Sequence, residues 1–332
     1  MKNHIITGAT GVIGMALINK CIEDNHPVTV IVNPDSNRLD RIPVHPLVTI
    51  IKCGIGEYSR LTTQIEKYKN EDLTNLLVSS SELDKYVKSL KETEYDTFYH
   101  LAWAGTFGDA RNDMTLQNKN VDYALDAVRL AKALGCKCFI GVGSQAEYGR
   151  VEGMLSANTP TNPENGYGIA KLETSKRTRA LCGELGIKHV WTRVLSIYGP
   201  YDGENTMVTS TVNKLLRGIK PSLTKGEQMW DYLYAADAAN ALYLLSAKGI
   251  NGKIYPIGSG VARPLREYIE IIRDVINPNA ELGFGEVPYS DKQVMYLCAD
   301  ISELTEDTDF TPQISFEEGI KRTIEYIQNI NS

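Results

Sequence analysis

The stretch that decides the fold is "ITGATGVIGMAL", residues 6–17, which places glycines at Gly8, Gly11 and Gly14. A β-rich run precedes it and a helix-forming apolar run follows it. Glycines between a first strand and a first helix allow a tight turn, a close approach to a pyrophosphate and close helix packing. The N–H groups and the positive end of the helix then bind the phosphate. The G-x-x-G-x-x-G spacing therefore predicts a dinucleotide site, with a glycine-rich turn that binds nothing as the alternative.

Short strand-like runs alternate with helical patterns through the first half of the chain: "HIITGA", "GMALINKCIED", "PVTVIV", "VTIIKC", "YDTFYHLA" and "CKCFIGVG". One apolar repeat close to 3.6 residues predicts a helix over residues 121–134, with Asn120 as its N-cap and Gly135 ending it. Alternation of this kind predicts βαβ units and a parallel sheet. We expect an α/β protein: a Rossmann-type doubly wound parallel sheet with a smaller α/β substrate-binding lobe.

The length of 332 residues favours two lobes, because single cores stop growing at roughly 250–300 residues. We assign residues 1–172 to a dinucleotide-binding domain, with returning segments near 188–198 and 230–250. The substrate-binding lobe then consists of about 199–229 and 251–332.

Composition excludes several classes of function. A net charge of −6 argues against a nucleic-acid partner, and no apolar run approaches the roughly 18 residues of a membrane helix. The N-terminus enters a strand directly and does not resemble a signal peptide. Six cysteines lack paired CxxC spacing, which predicts reduced thiols in a cytoplasmic protein and no metal site.

The end of the second strand indicates which dinucleotide fits. An acidic residue there binds the ribose 2′-hydroxyl, whereas a polar or basic loop accommodates a 2′-phosphate. The sequence "VTVIVNPDSNRL", residues 28–39, has Val32 at the expected acidic position, followed by Asn33, Ser36 and Arg38. This pattern favours NADP and leaves NAD as the alternative.

A serine, a tyrosine and a lysine form the predicted catalytic set. "ENGYGIAKLET", residues 164–174, spaces Tyr167 and Lys171 i,i+4, so that one helix face presents both. A tyrosine ionises near pH ~10, and a nearby ammonium and a nicotinamide ring are expected to lower the pKa of Tyr167. Ser144, at the end of an upstream strand, could hydrogen-bond the reacting oxygen.

These motifs, with "HLAWAG", "GSQAEYG", "RVLSIYGP" and "WDYLYAADAANAL", resemble the extended short-chain dehydrogenase/reductase family, in its nucleotide-sugar branch of NAD-dependent epimerases and dehydratases. The resemblance implies that Ser144 and Tyr167 act on a nucleotide-diphosphate sugar and that Lys171 holds the nicotinamide ribose. It also implies a homodimer that pairs through the helix 121–134 and the helix bearing Tyr167. The expected cofactor contacts are Gly8, Thr10, Gly11, Val12, Ile13, Asn33, Ser36, Arg38, Leu101, Ala102, Trp103 and Lys171. The expected substrate contacts are Trp103, Ser144, Gln145, Ser196, Trp230 and Arg263.

Two departures from the family pattern narrow the function. The 4,6-dehydratases of the family have an Asp–Glu pair directly after the Ser or Thr, where this chain has Gln145 and Ala146. Glu147 comes one residue later, where alternation along the chain directs it elsewhere. Trp230 stands where many members have a diphosphate-binding arginine, and both a core tryptophan and a stacking platform fit that position.

Together these features predict an NADP-dependent reductase of a 4-keto-6-deoxy nucleotide sugar, an enzyme of deoxysugar biosynthesis. A 4-epimerase with tightly bound NAD and a non-catalytic NAD(P)-sensing protein are the alternatives. His100 is expected to end a strand near the cofactor without a catalytic role.

Overall fold

A parallel sheet of seven described strands forms the centre of the molecule in the computed structural model, which describes residues 2–67, 82–91 and 93–330. The strands of this sheet are β1 (His4–Thr7), β2 (Val28–Val32), β3 (Val48–Lys52), β4 (Thr97–His100), β5 (Cys138–Ser144), β6 (Lys188–Val194) and β11 (Ile254–Ile257). Their spatial order is β11-β6-β5-β4-β1-β2-β3, and all pairs are parallel. The predicted Rossmann-type doubly wound sheet is therefore confirmed.

The strand order reverses between β1 and β4, and this reversal positions the site. Loops leave the carboxyl ends of these two neighbouring strands toward opposite sides, which opens a crevice between them. The glycine loop follows β1 and the "HLAWAG" loop follows β4, so both predicted cofactor loops lie at this crevice.

Helices cover both faces of the sheet. The described helices are α1 (Val12–Glu23), α2 (Tyr58–Lys67), α3 (Glu82–Lys91), α4 (Met114–Ala133), α5 (Gly166–Leu185), α6 (Met207–Leu216), α7 (Ala235–Lys248), α8 (Leu265–Ile276), α9 (Ser302–Thr308) and α10 (Phe316–Ile330). Helices α1 and α7 pack together within one apolar core, and α2 and α4 line the other. Every residue of β1, β2 and β4 is buried, as expected for parallel strands covered on two sides.

Helix α4 begins earlier than its apolar repeat indicates. It starts at Met114, and the Asp113 carboxylate caps it by accepting from the N–H groups of Thr115 and Leu116 at 3.0 and 3.1 Å. The predicted start at residue 121 with Asn120 as N-cap is therefore wrong, because the first two turns are mostly polar and lack the repeat. Gly135 ends the helix as predicted, with φ +76°.

Short strands and an aromatic core form the remainder of the fold. These strands are β7 (Ser196–Tyr198), β8 (Ser222–Leu223), β9 (Met229–Trp230), β10 (Tyr232–Tyr234), β12 (Arg263–Pro264), β13 (Gly283–Phe284) and β14 (Tyr296–Leu297). Tyr198, Tyr268 and Phe316 pack there, with the Phe316 ring 4.8 Å from Tyr198 and 4.6 Å from Tyr268 between centroids. The strand β11 pairs with β6 in the central sheet, although we assigned everything from residue 251 to the second lobe. The division into two lobes stays a prediction.

Candidate active site

The glycine loop brings three backbone segments into contact. Gly8 has φ +70°, and a Cβ there would lie 2.6 Å from the amide nitrogen of Ala102 in the loop after β4. A Cβ on Gly14 would lie 2.5 Å from the Gly8 carbonyl oxygen and 2.7 Å from the Ala9 Cα. Side chains at either position would separate helix α1 from the two strand ends. This close packing presents the N-terminus of α1 to the crevice, as a diphosphate site requires.

A cleft of about 300 Å³ follows the crevice. It is lined by the predicted cofactor residues Gly8, Thr10, Asn33, Ser36, Ala102 and Trp103, and also by Ala9, Ile31, Val32, Cys53, Ile55, Tyr58 and Ala104. The other predicted cofactor residues lie outside this lining: Gly11, Val12, Ile13, Arg38, Leu101 and Lys171. A glycine loop that opens into a cleft lined by both apolar and polar residues fits a dinucleotide. The sequence analysis did not identify three lining residues that follow β3: Cys53, Ile55 and Tyr58. The parallel pairing of β2 with β3 could have indicated them, since it brings the ends of both strands to one edge of the sheet.

Ser144, Tyr167 and Lys171 converge at the end of β5. Ser144 is the last residue of that strand, and Tyr167 and Lys171 lie one turn apart on α5 as predicted. The Ser144 hydroxyl lies close enough to the Tyr167 phenol to lower the pKa of the phenol. A Cβ on Gly168 would lie 2.3 Å from the carbonyl oxygen of Ala146, so a glycine is needed for α5 to pack this closely on the serine loop.

The electrostatics of Tyr167 differ from the prediction. Burial raises the pKa of Tyr167, while the Ser144 hydroxyl and the charge of Arg111 lower it and Glu147 raises it. The prediction that Lys171 lowers the pKa of Tyr167 is therefore wrong. Among the groups of the protein, Ser144 and Arg111 lower it. The reason is geometric, because the Lys171 ammonium lies 5.7 Å from the Tyr167 ring centroid and only 3.8 Å from the Trp103 ring centroid.

Lys171 is buried beside Trp103, one of the residues that line the cleft. Its Nζ donates to the carbonyl oxygen of Val142 at 2.6 Å, and burial lowers the pKa of the ammonium to about 7, with Glu147 opposing. His100 is also buried, its Nδ1 lies 3.0 Å from the Thr7 hydroxyl, and burial followed by the charge of Lys171 lowers its pKa to about 3. A neutral histidine that orders the end of β4 agrees with the predicted supporting position.

Glu147, which had no assigned role from sequence, is the centre of a buried network. Its side chain is fully buried and forms an ion pair with Arg193, Oε2 to Nε, at 2.9 Å. The carboxylate also accepts from the indole N–H of Trp191 at 3.0 Å and from the backbone N–H of Ser144 at 3.0 Å. Burial raises the pKa of Glu147, and the Arg193 guanidinium opposes this shift. Glu147 therefore holds the backbone at Ser144, and its carboxylate is engaged by Arg193 and Trp191.

Two buried amides on α4 fix the loop after β4. The Gln117 side chain accepts from the Trp103 indole at 2.9 Å and donates to the carbonyl oxygens of Gly105 and Ala110 at 2.9 and 2.8 Å. Asn120 accepts from the N–H of Ala104 and donates to its carbonyl oxygen, both at 2.9 Å. Gln117 escaped the sequence analysis because the start of α4 was misplaced.

Three predicted substrate residues lie together on the short strands. The Trp230 indole donates to the Ser196 hydroxyl at 2.8 Å, and Trp230 pairs with Arg263 across β9 and β12. Arg263 forms an ion pair with Glu317 at 2.7 Å, so its charge is already compensated. The remaining predicted substrate residue, Gln145, is half-buried beside Ser144.

The fold, the glycine loop and the Ser–Tyr–Lys set together define an enzyme of the short-chain dehydrogenase/reductase type. The chain matches the model of the NAD dependent epimerase/dehydratase family over residues 4–258, and it belongs to this family. It is 24% identical over 336 residues to the dTDP-4-dehydro-6-deoxyglucose reductase of Escherichia coli, with 98% of each chain covered.

Solved structures show the same fold over nearly the whole chain. A UDP-glucose 4-epimerase from Thermotoga maritima with UDP-glucose matches with a TM-score of 0.82 and 21% identity, covering 99% of this chain and 100% of that chain. A dTDP-glucose 4,6-dehydratase from Bacillus anthracis in complex with NAD matches with a TM-score of 0.79 and 18% identity, covering 99% and 97%. Dehydratases, epimerases and reductases of nucleotide sugars thus all resemble this chain.

Among the helices of the described ranges, none has the length and apolar character needed to cross a membrane.

Proposed function

We propose that this protein is a reductase of a 4-keto-6-deoxy nucleotide sugar, with NADPH as the hydride donor. The composition of the serine loop is the observation that supports this choice within the family. Gln145 and Ala146 follow Ser144 directly, and the next residue, Glu147, is engaged by Arg193, Trp191 and the Ser144 backbone. The loop therefore offers no carboxylate to protonate a leaving hydroxyl or to abstract a proton, and both are needed for dehydration.

The protein groups then have separable roles in ketone reduction. The Ser144 hydroxyl would hydrogen-bond the carbonyl oxygen of the sugar, and Tyr167 would transfer its phenolic proton to that oxygen. Ser144 ends β5 and Tyr167 lies in the first turn of α5, so both hydroxyl groups belong to one site. Lys171 would orient the ribose next to the nicotinamide, and a bound nicotinamide cofactor would supply the hydride. Lys171 is buried and Tyr167 is half-buried, which limits access of water to the reacting atoms.

The cleft supports the choice of NADP over NAD. Asn33 and Ser36 line it at the end of β2, where Val32 takes the place of an acidic residue. These neutral side chains impose no charge repulsion on a 2′-phosphate.

The test is to mix the purified protein with NADPH and a panel of 4-keto-6-deoxy nucleotide sugars that differ in their base. A reductase consumes NADPH in stoichiometric amounts and forms a hydroxyl at C4. An epimeric nucleotide sugar without loss of NADPH, together with co-purified NAD, would identify a 4-epimerase instead. Tyr167→Phe should abolish turnover, and unchanged turnover of this variant would contradict the role of the tyrosine.

Cytoplasmic location and a homodimer formed through α4 and α5 remain part of the proposal. The six cysteines are free and buried, as expected where thiols stay reduced. Sedimentation velocity of the purified protein tests the dimer, and a monomer at micromolar concentration would contradict it.

A further inference from the structure

Residues 105–114, which we call the strap, cross from the loop after β4 to the start of α4. The Gln117 amide holds the strap at two points by donating to the carbonyl oxygens of Gly105, the first residue of the strap, and Ala110, within its 3₁₀ turn. Gly105 has φ +71°, and a Cβ there would lie 2.6 Å from a Leu116 methyl group. The path of the strap is thus determined by buried polar and steric contacts.

The strap packs directly on the first turn of α5. The Asn112 side chain accepts from the backbone N–H of Gly166 at 3.2 Å. A Cβ on Gly166 would lie 2.8 Å from the Met114 sulfur and 2.9 Å from the Arg111 carbonyl oxygen. The contact therefore lies one residue before Tyr167, on the helix that presents the tyrosine.

Arg111 projects from the strap onto the ring of Tyr167. Its guanidinium carbon lies 4.5 Å from the ring centroid, within the range of a cation–π contact. The Nη1 atom donates to the Thr106 carbonyl oxygen at 3.3 Å, which restrains the guanidinium in that position. The Trp103 ring contacts the tyrosine edge-on, at 5.9 Å and 84°. Arg111 and Trp103 together therefore confine the Tyr167 ring.

We propose that Arg111 is a positioning residue of the active site, which holds the Tyr167 ring toward Ser144 and supplies the permanent positive charge that favours the tyrosinate. The proton-transfer role of Tyr167 in this inference rests on the proposed function. A guanidinium remains charged at every pH at which the protein is folded. The Lys171 ammonium lies further from this ring, at 5.7 Å from its centroid, and donates to the Val142 carbonyl oxygen.

Charged groups from three elements surround Tyr167. Arg111 of the strap lowers the pKa of Tyr167 and Glu147 of the serine loop raises it, while Lys171 lies further away on the same helix. Arg111 lies closer to the Tyr167 ring than Lys171 does, at 4.5 Å against 5.7 Å from the ring centroid. Its charge therefore assists proton release from Tyr167.

The experiment replaces Tyr167 with 3,5-difluorotyrosine, which ionises well below tyrosine, and follows its ionisation by ¹⁹F NMR in the protein without substrate. Arg111→Met should reduce the tyrosinate-to-phenol ratio at a fixed pH about tenfold, as one partly screened charge at this separation does. Arg111→Lys keeps the charge and should restore most of that ratio. Arg177→Met is the matched control, since Arg177 is a half-exposed cation on α5 that pairs with Asp122. This control should titrate like the parent protein.

Turnover supplies a second readout. With a 4-keto nucleotide sugar and NADPH, Arg111→Met should lower kcat with little change in KM, and the alkaline limb of the pH–rate profile should move to higher pH. The inference would be overturned if Arg111→Met had the same tyrosinate-to-phenol ratio as the parent protein. It would also be overturned if the ratio in Arg111→Lys were as low as in Arg111→Met. The ¹⁹F titration needs no substrate. A failure of every sugar to react would therefore overturn the proposed function, and the titration would still decide the role of Arg111.

Discussion

Replacing Glu147 with glutamine tests the buried network that holds the serine loop. The Glu147 side chain is fully buried and that of Arg193 is 4% exposed, so the substitution leaves a guanidinium in the interior without its counter-charge. Three N–H groups also converge on the carboxylate, from Ser144, Trp191 and Arg193, and the single amide oxygen of glutamine cannot accept from all three. Breaking a buried pair on one side costs about 3–5 kcal/mol. We expect the lower end for glutamine, about 3 kcal/mol of unfolding free energy, because it retains the shape and one acceptor.

Urea denaturation followed by circular dichroism measures this loss. Glu164→Gln provides the matched control, because Glu164 pairs with Arg150 at 2.9 Å between side chains that are 31% and 45% exposed. That surface pair is expected to contribute below about 1 kcal/mol. Combining Glu147→Gln with Arg193→Met removes the uncompensated charge, so the double variant should lose less than the two single losses together.

The reasoning would be refuted if Glu147→Gln and Glu164→Gln lost equal free energy, or if the losses of Glu147→Gln and Arg193→Met were additive. The first result would mean that the buried pair of Glu147 and Arg193 stabilises the protein no more than the surface pair does. The second would mean that Glu147 and Arg193 are not energetically coupled. The network also predicts a loss of turnover, since the N–H groups of Ser144, Trp191 and Arg193 then compete for one amide oxygen and the backbone at Ser144 is held less firmly. A misplacement that raises the barrier by about 1.4 kcal/mol lowers kcat about tenfold.

Three further predictions concern the cleft and the core. Gly8→Ala should lose measurable binding of NADPH in a fluorescence titration, because its Cβ would collide with Ala102. Gly186→Ala, with φ +69° and open space around it, should bind NADPH like the parent protein and cost only about 1–2 kcal/mol of stability. Equal affinities of the two variants for NADPH would contradict the collision. Asn33→Asp should weaken NADPH binding relative to NADH about tenfold in calorimetric titrations, since a carboxylate repels a 2′-phosphate, and an unchanged ratio would place that phosphate elsewhere. Burial, followed by the charge of His26, lowers the pKa of His4 to about 4 from 6.5, so the unfolded chain binds its proton first and stability falls as pH drops from 6.5 toward 4. His4→Phe should reduce the slope of unfolding free energy against pH in this range by about 1.4 kcal/mol per pH unit. A variant whose curve runs parallel to that of the parent protein would contradict the assignment to His4.

Much of the site could be predicted from local pattern. The glycine spacing indicated the β1–α1 turn, and the i,i+4 spacing of Tyr167 and Lys171 indicated their common helix face. Where local pattern failed, a locally polar stretch was the cause. The first turns of α4 have no apolar repeat, so its start was misplaced and the buried role of Gln117 was missed.

The sequence by itself determined the class of fold, the β1–α1 glycine turn and the common helix of Tyr167 and Lys171, because each depends on residues within a few positions of one another. Only the tertiary structure decided the partners of Glu147, which lie on β6, 44 and 46 residues away, and the contact of Arg111 with the Tyr167 ring. Spacing along the chain reports which side chains share a helix or strand face. It does not report which side chains of other elements face them, because that depends on the order of strands and on how closely helices pack. The glutamate beside Ser144 is a support for the serine and not an acid for this reason: β6 lies next to β5 and places Arg193 and Trp191 against it.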